Sequence, residues 1–151
     1  MRKLKRHVNP QWLFLLTVLF LGTACAPSPQ RAFDLAHEAL LPDFLADAPS
    51  AVKEAYRFAA ANPDELEKYP CYCGCGAMGH TSTLSCYVSD IAADGRITFD
   101  SHAAGCGICV DITRDVMRLM NEGKEAPEIR QYIDATYSAF GPSTDTPFPQ
   151  E

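Results

Sequence analysis

Cys106-Gly-Ile-Cys-Val-Asp-Ile-Thr-Arg-Asp-Val-Met-Arg-Leu-Met-Asn-Glu-Gly123 carries the clearest structural signal in this chain of 151 residues. Ile108, Ile112, Val116, Leu119 and Met120 fall at helical spacing and mark one buried stripe, and Gly123 is a natural C-terminal cap. The stretch reads as a helix with two cysteines, Cys106 and Cys109, at its start. Backbone N–H groups and the helix dipole favour thiolate there. A helix of this kind needs partners for its apolar stripe, and the flanking sequence supplies them. Pro127 opens a last helix through Ile129, Ile133, Tyr137 and Phe140. Upstream, Ser50 is the expected cap of a helix over 51–61 with Val52, Tyr56 and Ala59 inward, and Asn62-Pro63-Asp64-Glu65 resembles a second helix start. That element must be short, because Tyr69 precedes Pro70 and is pushed out of the α region. Phe33, Ala36, Leu40 and Leu41 also lie near helical spacing, up to Pro42.

Between the helical blocks, residues 70–105 are glycine-rich and loop-like, with Cys86-Tyr87-Val88 and Ile97-Thr98-Phe99 flanking Asp94-Gly95 as a hairpin signal. The expected fold is mainly α: one small helical domain over 31–140 around an irregular cysteine-rich region with a short β-hairpin. Residues 141–151 are Pro-rich and aperiodic, and read as a flexible tail.

The first 24 residues read as a signal peptide. Arg2, Lys3, Lys5 and Arg6 form a positive start, and the apolar run from Trp12 to Leu21 is about 10 residues, half of what a membrane-spanning helix needs. Leu21-Gly22-Thr23-Ala24-Cys25 resembles a bacterial lipobox with Gly22 where Leu is usual. Cys25 would then be lipidated, with residues 25–30 as a tether to the membrane; simple secretion after an A-x-A site at Ala24 and Ala26 is the rival. The chain is thus expected outside the cytoplasm, on the outer face of the cell membrane or in the periplasm. Its formal net charge is −6, and all 19 acidic residues follow the signal. A nucleic-acid partner is excluded on that charge, since phosphate binding needs clustered Lys and Arg.

Six further cysteines decide the chemistry: Cys71, Cys73 and Cys75 in C-x-C-x-C, then Cys86, then Cys106 and Cys109. In an extended strand the first three would stand about 6.6 Å apart on one side. Gly74 and Gly76 permit a curled loop instead, bringing the sulfurs to within reach of one ion. His80 could complete such a site as an imidazole ligand; His102 lies nearby in a loop expected to face solvent, and Met78 could offer a thioether to copper(I). Three readings stay open. One is a soft-metal thiolate site for copper(I), zinc or mercury, built as a cluster or two neighbouring centres because six thiols exceed one tetrahedral zinc. The second is a disulfide-stapled interaction module, as export would allow. The third is a dithiol oxidoreductase at Cys106 and Cys109, although the βαβ pattern in which a thioredoxin-like motif normally sits does not precede it. Covalent c-type haem is excluded because Val110 follows Cys109. No catalytic acid–base set is legible. Asp90, Asp94 and Asp100 read as turn residues rather than a calcium loop.

Pro70 through Cys75, PCYCGC, resembles the name-giving motif of the bacterial PCYCGC-motif proteins, and the similarity takes in His80, Cys86 and the Cys106–Val110 segment. That resemblance implies an exported, often lipid-anchored, helix-containing and cysteine-rich domain. The lipobox and the thiolate reading, for their part, make the membrane, through the lipid anchor, and a metal-transfer or membrane protein the partners to look for.

Overall fold

The structure is a computed structural model that describes residues 32–150. The signal sequence, Cys25 and the tether lie outside the described residues. Among the described residues there are four α-helices and one hairpin: α1 (Ser50–Ala61), α2 (Pro63–Leu66), β1 (Val88–Ile91), β2 (Ile97–Phe99), α3 (Gly107–Asn121) and α4 (Ala126–Tyr137).

The stretch quoted first does form the central helix. α3 buries Cys109, Val110, Ile112, Thr113, Val116, Met117, Leu119 and Met120, and packs against α1 on one side and α4 on the other. Gly123 ends it with φ 74°, a left-handed turn that suits glycine. α4 starts on a capping box in which the Glu125 and Glu128 side chains each accept from the other's backbone N–H, with Pro127 inside the first turn. α1 contributes Tyr56 and Phe58, both fully buried, and Tyr56 meets Tyr87 edge-to-face at 4.9 Å. α2 is a single turn, as Pro70 requires.

The hairpin forms where the Asp94-Gly95 signal places it. β1 and β2 pair antiparallel as Val88↔Phe99, Asp90↔Thr98 and Ile91↔Ile97, with a bulge between Val88 and Asp90. Gly95 turns the chain with φ 83°, and Asp94 accepts from the Arg96 backbone.

Two expectations give way. Phe33 to Leu41 is not an α-helix: only 3-10 turns form, at Glu38–Leu40 and Asp43–Leu45. Here the chain is held laterally instead, the Ala36 N–H donating to the Arg57 carbonyl and Arg57 Nε donating to the Ala36 carbonyl at 2.6 Å. The second correction concerns the tail. Residues 141–150 are not loose but cross the cysteine loop as a strap. Thr144 and Thr146 are buried, and the Arg130 guanidinium on α4 donates to the Thr146 and Pro147 carbonyls and stacks on Phe148. The composition is that of a free end, but two threonine hydroxyls and one arginine fix it.

Candidate metal centre

The PCYCGC stretch enters the core from α2. Thr83 fastens its start: the Thr83 backbone N–H donates to the Tyr69 carbonyl and its hydroxyl to the Pro70 carbonyl, at 2.8 and 2.9 Å. Gly74 then takes φ 84°, reversing the chain so that Cys71, Cys73 and Cys75 converge rather than string out. Cys75 opens a 3-10 turn through Met78 that closes on Gly79, also left-handed. Cys86 ends the 3-10 turn Leu84–Cys86. Cys106 is the N-cap residue of α3, preceded by a 3-10 turn (His102–Gly105) rather than a strand, and Cys109 lies in the first helical turn.

These elements bring all six sulfurs together. Cys71 Sγ lies 3.3 Å from Cys73 and 3.6 Å from Cys109; Cys73 and Cys109 are 3.7 Å apart; Cys75 and Cys86 are 3.5 Å apart. None is bonded to another: all six are free thiols, with separations well beyond the ~2.05 Å of a disulfide. Cys71, Cys75, Cys86 and Cys109 are buried, whereas Cys73 and Cys106 are half-buried.

Two histidines flank the sulfurs. His102 Nε2 is 3.3 Å from Cys73 Sγ, and His80 Nδ1 is 3.4 Å from Cys86 Sγ; the two rings meet edge-on at 5.2 Å. Three sets of four donor atoms lie within 4.8 Å of one another: Cys71, Cys73, Cys86 and Cys109; Cys73, His102, Cys106 and Cys109; and Cys73, Cys75, Cys86 and His102. The six cysteines named from sequence thus all fall into metal-competent groups. His80, expected as a ligand, touches the cluster through Cys86 but belongs to none of these sets. His102, expected in a solvent-facing loop, belongs to two. Its spacing, four residues before Cys106, was the available signal. Met78 is exposed and belongs to none of the sulfur contacts.

The electrostatics suit a cation. Burial raises the pKa of Cys73 and Cys75. At Cys109 the hydrogen bond to Cys71 does the same, helped by Cys86 and by burial. Cys86 is relieved by its bond to Cys109, but the Cys71 interaction and burial outweigh that and raise it. Cys71 alone is pulled down, to about 2, because Cys109 and then Cys86 hydrogen-bond to its thiolate. Without a metal, burial and the sulfur–sulfur hydrogen bonds therefore favour the protonated form at most of these thiols. A soft cation would ionise them and release protons.

Around the sulfurs, polar groups fix positions. Tyr87 is fully buried, its hydroxyl donating to the Cys109 carbonyl at 2.8 Å while accepting from Thr113 Oγ1 at 2.8 Å. The Tyr56 hydroxyl donates to the Asp100 carbonyl and accepts from the Ala104 N–H, tying the segment that carries His102 to α1. Every buried side-chain nitrogen and oxygen among the described residues has a partner.

Residues 33–149 match the family model of a "protein of unknown function with PCYCGC motif". The chain belongs to the PCYCGC-motif family. The match runs from Phe33 through Pro149, so in this family member the strap falls inside the shared unit. None of the curated proteins and none of the solved structures compared with the chain matches it.

Proposed function

We propose that this PCYCGC-motif protein is an extracytoplasmic soft-metal-binding protein that holds copper(I), zinc or mercury on cysteine thiolates, for sequestration, delivery to a partner or sensing. The observation that carries the reading is the convergence of six unbonded sulfurs and two imidazoles on one spot from four separate chain segments. A small domain gains little by packing six thiols against each other, whereas a cation would turn the same cluster into bonds. The strand nearest before Cys106, β2, belongs to an antiparallel hairpin and is separated from it by a 3-10 turn, which is not the βαβ setting of a thioredoxin-like redox site. The lipobox-like Leu21–Cys25 segment supports tethering to the outer face of the membrane through Cys25, where a metal-transfer partner would meet the domain.

The test is metal analysis of the full chain purified without chelator, with thiols counted before and after acid release. Bound metal with thiols masked until acidification is the expected result. A metal-free protein whose thiols are paired as disulfides would overturn the reading.

A further inference from the structure

The geometry points to a binuclear centre: two tetrahedral divalent ions of the zinc class sharing one edge, the Cys73 and Cys109 sulfurs. This rests on the soft-metal reading above and specifies its ligands, nuclearity and charge. The inner ion would take Cys71 and Cys86 together with the shared pair; the outer ion would take His102 and Cys106 with the same pair. Each set of four lies within 4.8 Å, and the two sets have those two sulfurs in common.

Three observations support the arrangement. First, Zn–S bonds of about 2.3 Å at tetrahedral angles place sulfurs about 3.8 Å apart. The common edge, Cys73 to Cys109, measures 3.7 Å, and Cys71 to Cys109 measures 3.6 Å. Linear two-coordination, by contrast, would separate a sulfur pair by about 4.6 Å for the same bond length. Second, charge favours divalent ions. The five cysteines of the two sets, as thiolates, are nearly neutralised by two divalent cations, but two monovalent ions would leave three negative charges in a site where Cys71, Cys86 and Cys109 are buried. Third, the remaining donors have another use. Cys75 also completes the third set, but its companions there, Cys73, Cys86 and His102, are all taken by the two ions; at 3.5 Å from the Cys86 sulfur it is left, like His80 at 3.4 Å, as a hydrogen-bond partner of that ligand. Cys106, in contrast, stands at the N-terminus of a 15-residue helix, beside half-buried His102. The inner set is thus drawn mainly from buried sulfurs, whereas both donors specific to the outer set, His102 and Cys106, are half-buried.

Cobalt(II) titration of the reduced full chain, followed by thiolate-to-cobalt charge-transfer absorption and checked by zinc counting in native mass spectrometry, tests this. Two ions per chain are expected for the wild type, one for Cys106→Ser and one for His102→Gln. Serine is itself a good N-cap, and circular dichroism confirms that both variants fold. Cys75→Ser should still take two. A wild type that saturates at one ion, a Cys106→Ser variant that still takes two, or a drop to one in Cys75→Ser would overturn the binuclear assignment while leaving metal binding intact. A wild type that takes no ion would instead remove the reading on which the assignment rests.

Discussion

Cys71 and Thr144, 73 residues apart, clasp each other twice: the Cys71 N–H donates to Thr144 Oγ1 at 2.9 Å, and the Thr144 N–H donates to the Cys71 carbonyl at 3.0 Å. The chain of hydroxyls continues, since Thr146 donates to the Thr81 carbonyl at 2.6 Å and stands 2.9 Å from Thr144 Oγ1. The first cysteine of the motif is therefore held by the strap, and its position depends on residues far outside the motif.

Replacing Thr144 with valine keeps the shape but leaves the buried Cys71 N–H without its acceptor. The expected cost is about 1–3 kcal/mol, read as a lower denaturant midpoint, with weaker metal retention alongside; Thr144→Ser should stay near wild type. An unchanged midpoint in the valine variant would show that the clasp carries no stability.

Gly141 is fixed by space rather than by backbone angle. A Cβ at this position would come within 2.9 Å of the Tyr72 carbonyl oxygen, whereas one on Gly107 meets nothing within 4 Å. Gly141→Ala should destabilise by about 1–3 kcal/mol as the strap is pushed off the loop. Gly107→Ala, in the first turn of α3, should be neutral or mildly stabilising. Thermal melts of the two variants side by side decide it.

Tyr87 and Thr113 both reach the Cys109 carbonyl, at 2.8 and 3.0 Å, and bond to each other. Each single change, Tyr87→Phe or Thr113→Val, should cost about 1 kcal/mol or somewhat more. Because they share one acceptor and one another, the double variant should depart from the sum by at least ~0.5 kcal/mol. A double-mutant cycle in urea measures the coupling, and strict additivity would contradict it.

Stability of the metal-free protein should fall in alkali. Folding raises the thiol pKa of Cys73, Cys75, Cys86 and Cys109 above the ordinary value of 9.0 and lowers only that of Cys71. For the raised groups the stabilising contribution is complete below about pH 9 and is lost as pH climbs from there toward their folded values, because the unfolded chain gives up its protons first. Cys71 acts in the opposite sense: its contribution is present above pH 9 and disappears as pH falls toward 2. Four groups outweigh one, so the denaturant midpoint should drop between pH 8 and roughly pH 10. Zinc-loaded protein, whose ligands are already ionised, should lack that drop.

Much of this molecule was legible in its residues. The stripe from Ile108 to Met120 defined α3, Asp94-Gly95 gave the hairpin, and Pro70 limited α2, because each is a local signal written over a few neighbouring positions. The convergence of the cysteines was legible through Gly74, whose positive φ is the turn that the motif needs. What was illegible depends on distant partners. Phe33 to Leu41 has helical spacing, yet its backbone is claimed by Arg57 on α1. His102 is one imidazole in a polar loop until Tyr56, 46 positions earlier in sequence, anchors that loop through Asp100 and Ala104. Nor does the Pro-rich composition of the strap announce that Thr144 and Thr146 will be buried against Cys71 and Thr81.

The strap also sets an order of assembly. Residues 144–148 are synthesised after all six cysteines of the cluster, so the clasp on Cys71 is the last part of the site to become available. A chain still lacking residues 144–148 holds every cysteine of the cluster but not the hydroxyl and carbonyl clasp that positions the first of them.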